Sequence, residues 1–123
     1  MKIEIDQSGK IEFTAVQTVV ADSLDNVIKI KGKEKRIIQK MYREKGKPKL
    51  YLLETFSFIT ACLIKESLSR ANYYVIDVEY PGHNDIIKRY ILLFARKLKI
   101  RIDTLNITFN HIGKKIRSTY VCF

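Results

Sequence analysis

The stretch Tyr73-Tyr74-Val75-Ile76-Asp77-Val78 decides the fold. It is a continuous β-branched and aromatic run broken by one carboxylate, the composition of a central strand covered on both faces. Upstream, from Lys49 to about Arg70, the residues Leu52, Leu53, Phe56, Ile59, Thr60, Leu63 and Ile64 recur at helical spacing, which predicts a largely buried helix that Asn72 ends. Downstream, Pro81-Gly82-His83-Asn84 is a turn whose Asn84 is placed to cap a helix from Asp85 to about Leu98, with an apolar stripe of Ile86, Ile87, Tyr90, Ile91, Phe94 and Leu98. Ile100 to Phe109 alternates apolar and polar residues and reads as a last strand. A helix, strand, helix, strand succession implies right-handed parallel crossovers.

Toward the N-terminus the period is that of strands. Lys2-Ile3-Glu4-Ile5-Asp6 alternates, and Gln7-Ser8-Gly9-Lys10 supplies the small and polar residues of a tight turn. Ile11 to Val20 is rich in Ile, Phe, Thr and Val and predicts a second strand, Asp22 to Asn26 a turn, and Val27-Ile28-Lys29-Ile30 a third strand. Ile37, Ile38, Met41 and Tyr42 then mark a short amphipathic helix with a basic outer face, ended by Gly46-Lys47-Pro48. The long elements follow the order β-β-β-α-β-α-β. Residues 1–123 are therefore expected to form a single α/β domain with a mixed five-stranded sheet.

Composition narrows the function classes. The 123 residues carry 23 Lys and Arg against 13 Asp and Glu, a net charge of +10, yet 46% are hydrophobic, so a disordered basic tail is excluded. No apolar run is long enough to span a membrane, and the charged, strand-like start is unlike a signal peptide, so a soluble cytoplasmic protein with no membrane partner is expected. Cys62 and Cys122 lack the paired spacing of a zinc site and read as small hydrophobes.

The acids point to chemistry. Asp77 is flanked by Ile76 and Val78, where burying an unpaired carboxylate is costly, so a cation, donor or metal belongs beside it. Asp6 ends the first strand, and Glu54 lies near the start of the long apolar helix. Carboxylates brought together from adjacent strands and a helix are the hard oxygen ligands that Mg²⁺ or Mn²⁺ prefers. Glu79, two residues beyond Asp77 and on the same face, is an additional candidate, and Glu66 an alternative on the helix. His83 and His111 each follow an element end, where a histidine is commonly solvated or capping; His111 is the better candidate for proton transfer.

This element order, with Asp on the first strand, Glu on the long helix and Asp on the fourth strand, resembles the ribonuclease H-like superfamily of nucleases and resolvases. The segment Ile3-Glu4-Ile5-Asp6-Gln7-Ser8-Gly9 also resembles the I-D-x-S-G opening of one branch of that superfamily. The resemblance implies a nuclease that hydrolyses phosphodiester bonds with two Mg²⁺ or Mn²⁺ ions on Asp6, Glu54 and Asp77, with His111 assisting. It also implies a C-terminal helix, most of which this chain lacks room for after the last strand. A non-catalytic module on the same fold, binding nucleic acid or protein, is the alternative.

The basic residues fall in two segments. Residues 31–49 hold nine basic and two acidic side chains, and residues 96–117 hold seven and one, leaving −3 on the rest. Lys31, Lys33, Lys35, Arg36, Lys40, Arg43, Lys47, Lys114, Lys115 and Arg117 are candidates for sequence-tolerant phosphate contacts, and Tyr42, Tyr51 or Tyr120 for stacking on bases. The compact size makes a homodimer, or docking on a larger partner, an expectation.

Overall fold

In a computed structural model that describes residues 1–112, β1 (Lys2–Ser8), β2 (Thr18–Asp22), β3 (Val27–Ile30), α1 (Gly32–Glu44), α2 (Leu50–Ser67), β4 (Tyr73–Asp77), α3 (Asn84–Lys97) and β5 (Ile107–Asn110) follow in turn. The strands form one sheet in the order β3-β2-β1-β4-β5. β1 is parallel to β4 and β4 to β5, whereas β2 is antiparallel to both β1 and β3. The α/β class with a mixed five-stranded sheet is thus as the hydrophobic patterning requires. No helix among the described residues is long and apolar enough to cross a membrane.

One face of the sheet carries the core. Ile3, Ile5, Val20, Ile30, Tyr74, Ile76 and Ile107 share that face by strand alternation and cluster with Phe56, Ile64, Ile87 and Ile91 from the helices. α2 is fixed over it at both ends. Tyr74 donates from its hydroxyl to the Ile64 carbonyl and pairs with the Ser67 hydroxyl near the start of β4, while Tyr51 at the other end of the helix donates to the Ile11 carbonyl beyond β1. The helix therefore runs antiparallel to β1 and β4, and its first turn lies at their carboxyl ends.

Several boundaries differ from the sequence expectation. β1 continues through Gln7 to Ser8, so Asp6 lies inside the strand and the turn begins at Gly9, whose φ of 75° suits glycine. Ile11 to Gln17 is a loop, and the second strand starts only at Thr18. Its carbonyls are taken by other elements: Lys35 binds those of Lys10 (3.2 Å) and Phe13 (2.7 Å), Arg36 that of Thr14 and Tyr51 that of Ile11. β-branched composition favoured a strand here, but tertiary donors won.

Ile100 to Asp103 is likewise not strand. α3 ends with Lys99 at φ 61° and the Ile100 N–H bonded to the Ala95 carbonyl, and a short turn at Thr104–Asn106 precedes β5. Asn84 does not cap α3 but is its first residue, after His83. β4 is covered on one face more than the other, with Tyr74 and Ile76 buried, Val75 half-buried and Tyr73 exposed.

Lys35 is the largest correction. It is 0% exposed, and its ammonium also contacts the Thr18 hydroxyl at 2.9 Å, so it joins α1 to the loop and β2 and does not reach solvent phosphate. Burial lowers its pKa, opposed by the Glu12 carboxylate. Lys35→Met would strand the Phe13 and Lys10 carbonyls and is expected to cost about 1–3 kcal/mol; an unchanged urea midpoint would refute this.

Buried tyrosines give a second prediction. Burial, then the Glu12 carboxylate, pushes the Tyr51 phenol up to about 12, and burial raises Tyr42, Tyr74 and Tyr80 as well. These phenols are neutral when folded and ionise near pH 10 when unfolded. Their contribution is complete below about pH 10 and is lost as pH rises toward 12. Denaturant midpoints should fall across that window, in step with the appearance of phenolate absorbance.

A candidate metal centre at the carboxyl ends of β1 and β4

The register of the central parallel pair sets the site. Ile5 lies opposite Ile76, so Asp6 and Asp77 follow one residue later on neighbouring strands, both projecting away from the helix-covered face. Asp77 also ends β4 opposite Asn110 of β5. Extended backbone after Asp77 returns Glu79 to the same side. One ligand oxygen from each of Asp6, Asp77 and Glu79 lies within 4.8 Å of the others, with both aspartates buried and Glu79 half-buried.

Backbone donors aim these carboxylates. Asp6 Oδ1 accepts the Gln7 N–H at 2.8 Å, and Asp77 Oδ1 accepts the Ile112 N–H at 2.8 Å. On the opposite face of β1, the Gln7 amide donates to the Tyr80 hydroxyl at 3.0 Å, which fixes the turn that carries Glu79. Tyr80 packs edge-on against Phe56 at 5.5 Å, tying that turn to α2. Three carboxylates with no histidine or cysteine among them are a donor set for a hard divalent cation, Mg²⁺ or Mn²⁺, rather than for zinc.

Glu54 does not join this group. It sits in the first turns of α2, at the same end of the sheet, where it accepts a hydrogen bond from the Tyr42 hydroxyl of α1 at 2.8 Å. Tyr90 of α3 lies near the same carboxylate, which raises its phenol after the effect of burial. The residue expected to bind metal thus joins α2 to α1, and burial together with the Glu54 contact raises Tyr42 well beyond the ordinary phenol range. Glu66 lies exposed in the last turns of α2. His111 is exposed after β5, outside the carboxylate group, one residue before the Ile112 that binds Asp77. His83 is exposed.

Among the basic candidates, Lys31, Lys33, Arg36, Lys40, Arg43 and Lys47 are exposed, while Lys35 is buried. β3 is parallel to β1, so Lys31, which follows Ile30, lies at the carboxyl end of the edge strand, two strands across and four residues beyond Val27, the residue in register with Asp6, roughly 16 Å away by strand geometry. Lys114, Lys115, Arg117, Tyr120 and Cys122, together with the expectation about a C-terminal helix, fall outside the described residues. Tyr51 is 3% exposed and cannot stack on a base. Cys62 is half-buried, with its thiol pushed up by burial, as a packing residue requires.

No family model matches the chain, and neither does any curated protein or solved structure.

The two roles of Glu54 can be separated. Glu54→Ala leaves the Tyr42 hydroxyl without its acceptor and should cost about 1–2 kcal/mol. Glu54→Gln keeps a carbonyl oxygen for it and should cost less. Equal losses in urea unfolding would show that the helix junction does not rest on this acceptor.

Proposed function

We propose that the protein is a metal-dependent nuclease of the ribonuclease H-like kind, hydrolysing phosphodiester bonds with Mg²⁺ or Mn²⁺. The observation that carries this reading is the grouping of Asp6, Asp77 and Glu79 within 4.8 Å at the carboxyl ends of two adjacent parallel strands. That is where open α/β sheets bind ligands, at the point where connections leave in opposite directions. The element order and Asp6 on β1 support the same reading, with Glu79 taking the place that the resemblance gave to Glu54.

Asp6, Asp77 and Glu79 would hold the ions, and the Gln7 and Ile112 N–H groups aim two of the carboxylates. Bound ions supply Lewis-acid stabilisation of phosphate charge and a water acidic enough to attack at neutral pH. Lys31, Lys33 and Arg36, exposed beyond the carboxyl end of β3, would draw in and position the phosphate backbone at longer range. His111, exposed beside the residue that binds Asp77, is placed to carry a proton to or from solvent.

Asp77→Asn tests the reading. The amide keeps an oxygen to accept the Ile112 N–H, so the fold should survive. Mn²⁺-dependent cleavage of hybrid, branched or single-stranded nucleic acid should fall at least about a hundredfold. Cleavage equal to that of the unsubstituted protein would overturn the site.

A further inference from the structure

A cleft of about 300 Å³ opens between α1 and the start of α2, lined by Ile38, Met41, Tyr42, Lys47, Leu50 and Glu54, with Lys45 beside Lys47. It lies at the same end of the sheet as the acidic group, because the first turn of α2 is held at the carboxyl end of β1 through Tyr51 and Ile11. A volume of this size is at the lower end for small-molecule sites and suits one mononucleotide.

The lining specifies the chemistry of an occupant. Ile38, Met41 and Leu50 give apolar walls, and the half-buried Tyr42 ring offers an aromatic surface. Glu54 is the acceptor. Tyr42 occupies one position at 2.8 Å and Tyr90 lies near the same carboxylate, but a carboxylate has about four lone-pair positions, so two N–H donors can still be received. Lys45 and Lys47 outweigh this single negative charge, which selects against a cationic amine and for a neutral donor head on an anionic tail. Among the nucleobases, only guanine presents two adjacent N–H donors on its Watson–Crick edge. Adenine and cytosine place an acceptor next to their amino group, and uracil flanks its N–H with two carbonyls, so each would oppose the carboxylate.

We propose that this cleft is a base-binding subsite that receives an unpaired guanine on the Glu54 carboxylate, with Lys45 and Lys47 taking its phosphate. The subsite rests on the nucleic-acid part of the function proposed above, and it gives that function a preference for guanine in single-stranded or extruded positions. Tyr42 is then a positioning residue, since it holds Glu54 in one orientation.

Calorimetric titration of the full chain with GMP, AMP, CMP and UMP, in chelator so that no cleavage occurs, tests the subsite. GMP should bind tightest, by roughly tenfold or more, the worth of a bidentate base contact. Glu54→Gln should erase that preference while urea unfolding shows the fold retained. Lys47→Ala should weaken GMP binding but not guanosine binding. Equal affinity for all four nucleotides, no binding at all, or a guanine preference that survives Glu54→Gln would overturn the proposal. Binding and cleavage fail separately: guanine preference without nuclease activity removes only the catalytic reading, and Asp77-dependent cleavage without guanine preference removes only the subsite.

Discussion

The parallel pairing of β1 with β4 is the constraint from which the rest of this structure follows. It places Ile5 against Ile76 on the core face and, one residue on, Asp6 beside Asp77. A shift of one residue would turn the carboxylates into the apolar cluster and the isoleucines out of it, so the hydrophobic face fixes the acidic site. The arrangement carries a cost, because two like charges about 5 Å apart repel by on the order of 3 kcal/mol at an effective dielectric constant of 20. Backbone N–H donors from Gln7 and Ile112 offset part of it.

Polar staples keep the carboxyl end of the sheet in shape. The nine residues between β1 and β2 have little ladder pairing of their own, and Lys35, Arg36 and Tyr51 reach in from two helices to take their carbonyls. Lys35 is the most exacting of these, since a buried ammonium is tolerated only when its donors are met, and here two carbonyls and the Thr18 hydroxyl meet all three. The loop so held lies beside the acidic strands and the first turn of α2, which makes this end of the molecule rigid where chemistry is proposed.

Much of the fold was legible because its signals are local. The period of α2, the turn after Tyr80 and the apolar run of β4 each report on residues within one element, and all three formed close to the expected bounds. The loop at 11–17 was illegible because its hydrogen bonds go to residues 20 to 40 positions away, and the β-branched composition pointed elsewhere. Within the candidate site, Asp77 was readable as an acid in an apolar strand, whereas Asp6 was expected at a strand end and lies inside β1. Glu79 was readable from its spacing to Asp77. Glu54 stands apart from that group, since its helical position puts it at the same end of the sheet but its side chain turns to Tyr42 of α1, a helix junction that no spacing encodes.

The same displacement changes how the net charge of +10 should be understood. Composition alone treats the basic segment after β3 as one phosphate-binding run. In the fold it divides: Lys35 is a buried strut, Arg36 binds the Thr14 carbonyl of the loop after β1, Lys31 and Lys33 are exposed beyond the edge strand β3, and Lys45 and Lys47 border the cleft beside Glu54. A run that composition treats as one thus serves separate places, and spacing could not tell the buried Lys35 from its exposed neighbours because the groups that bury it lie about 20 residues away, in the loop after β1 and at Thr18.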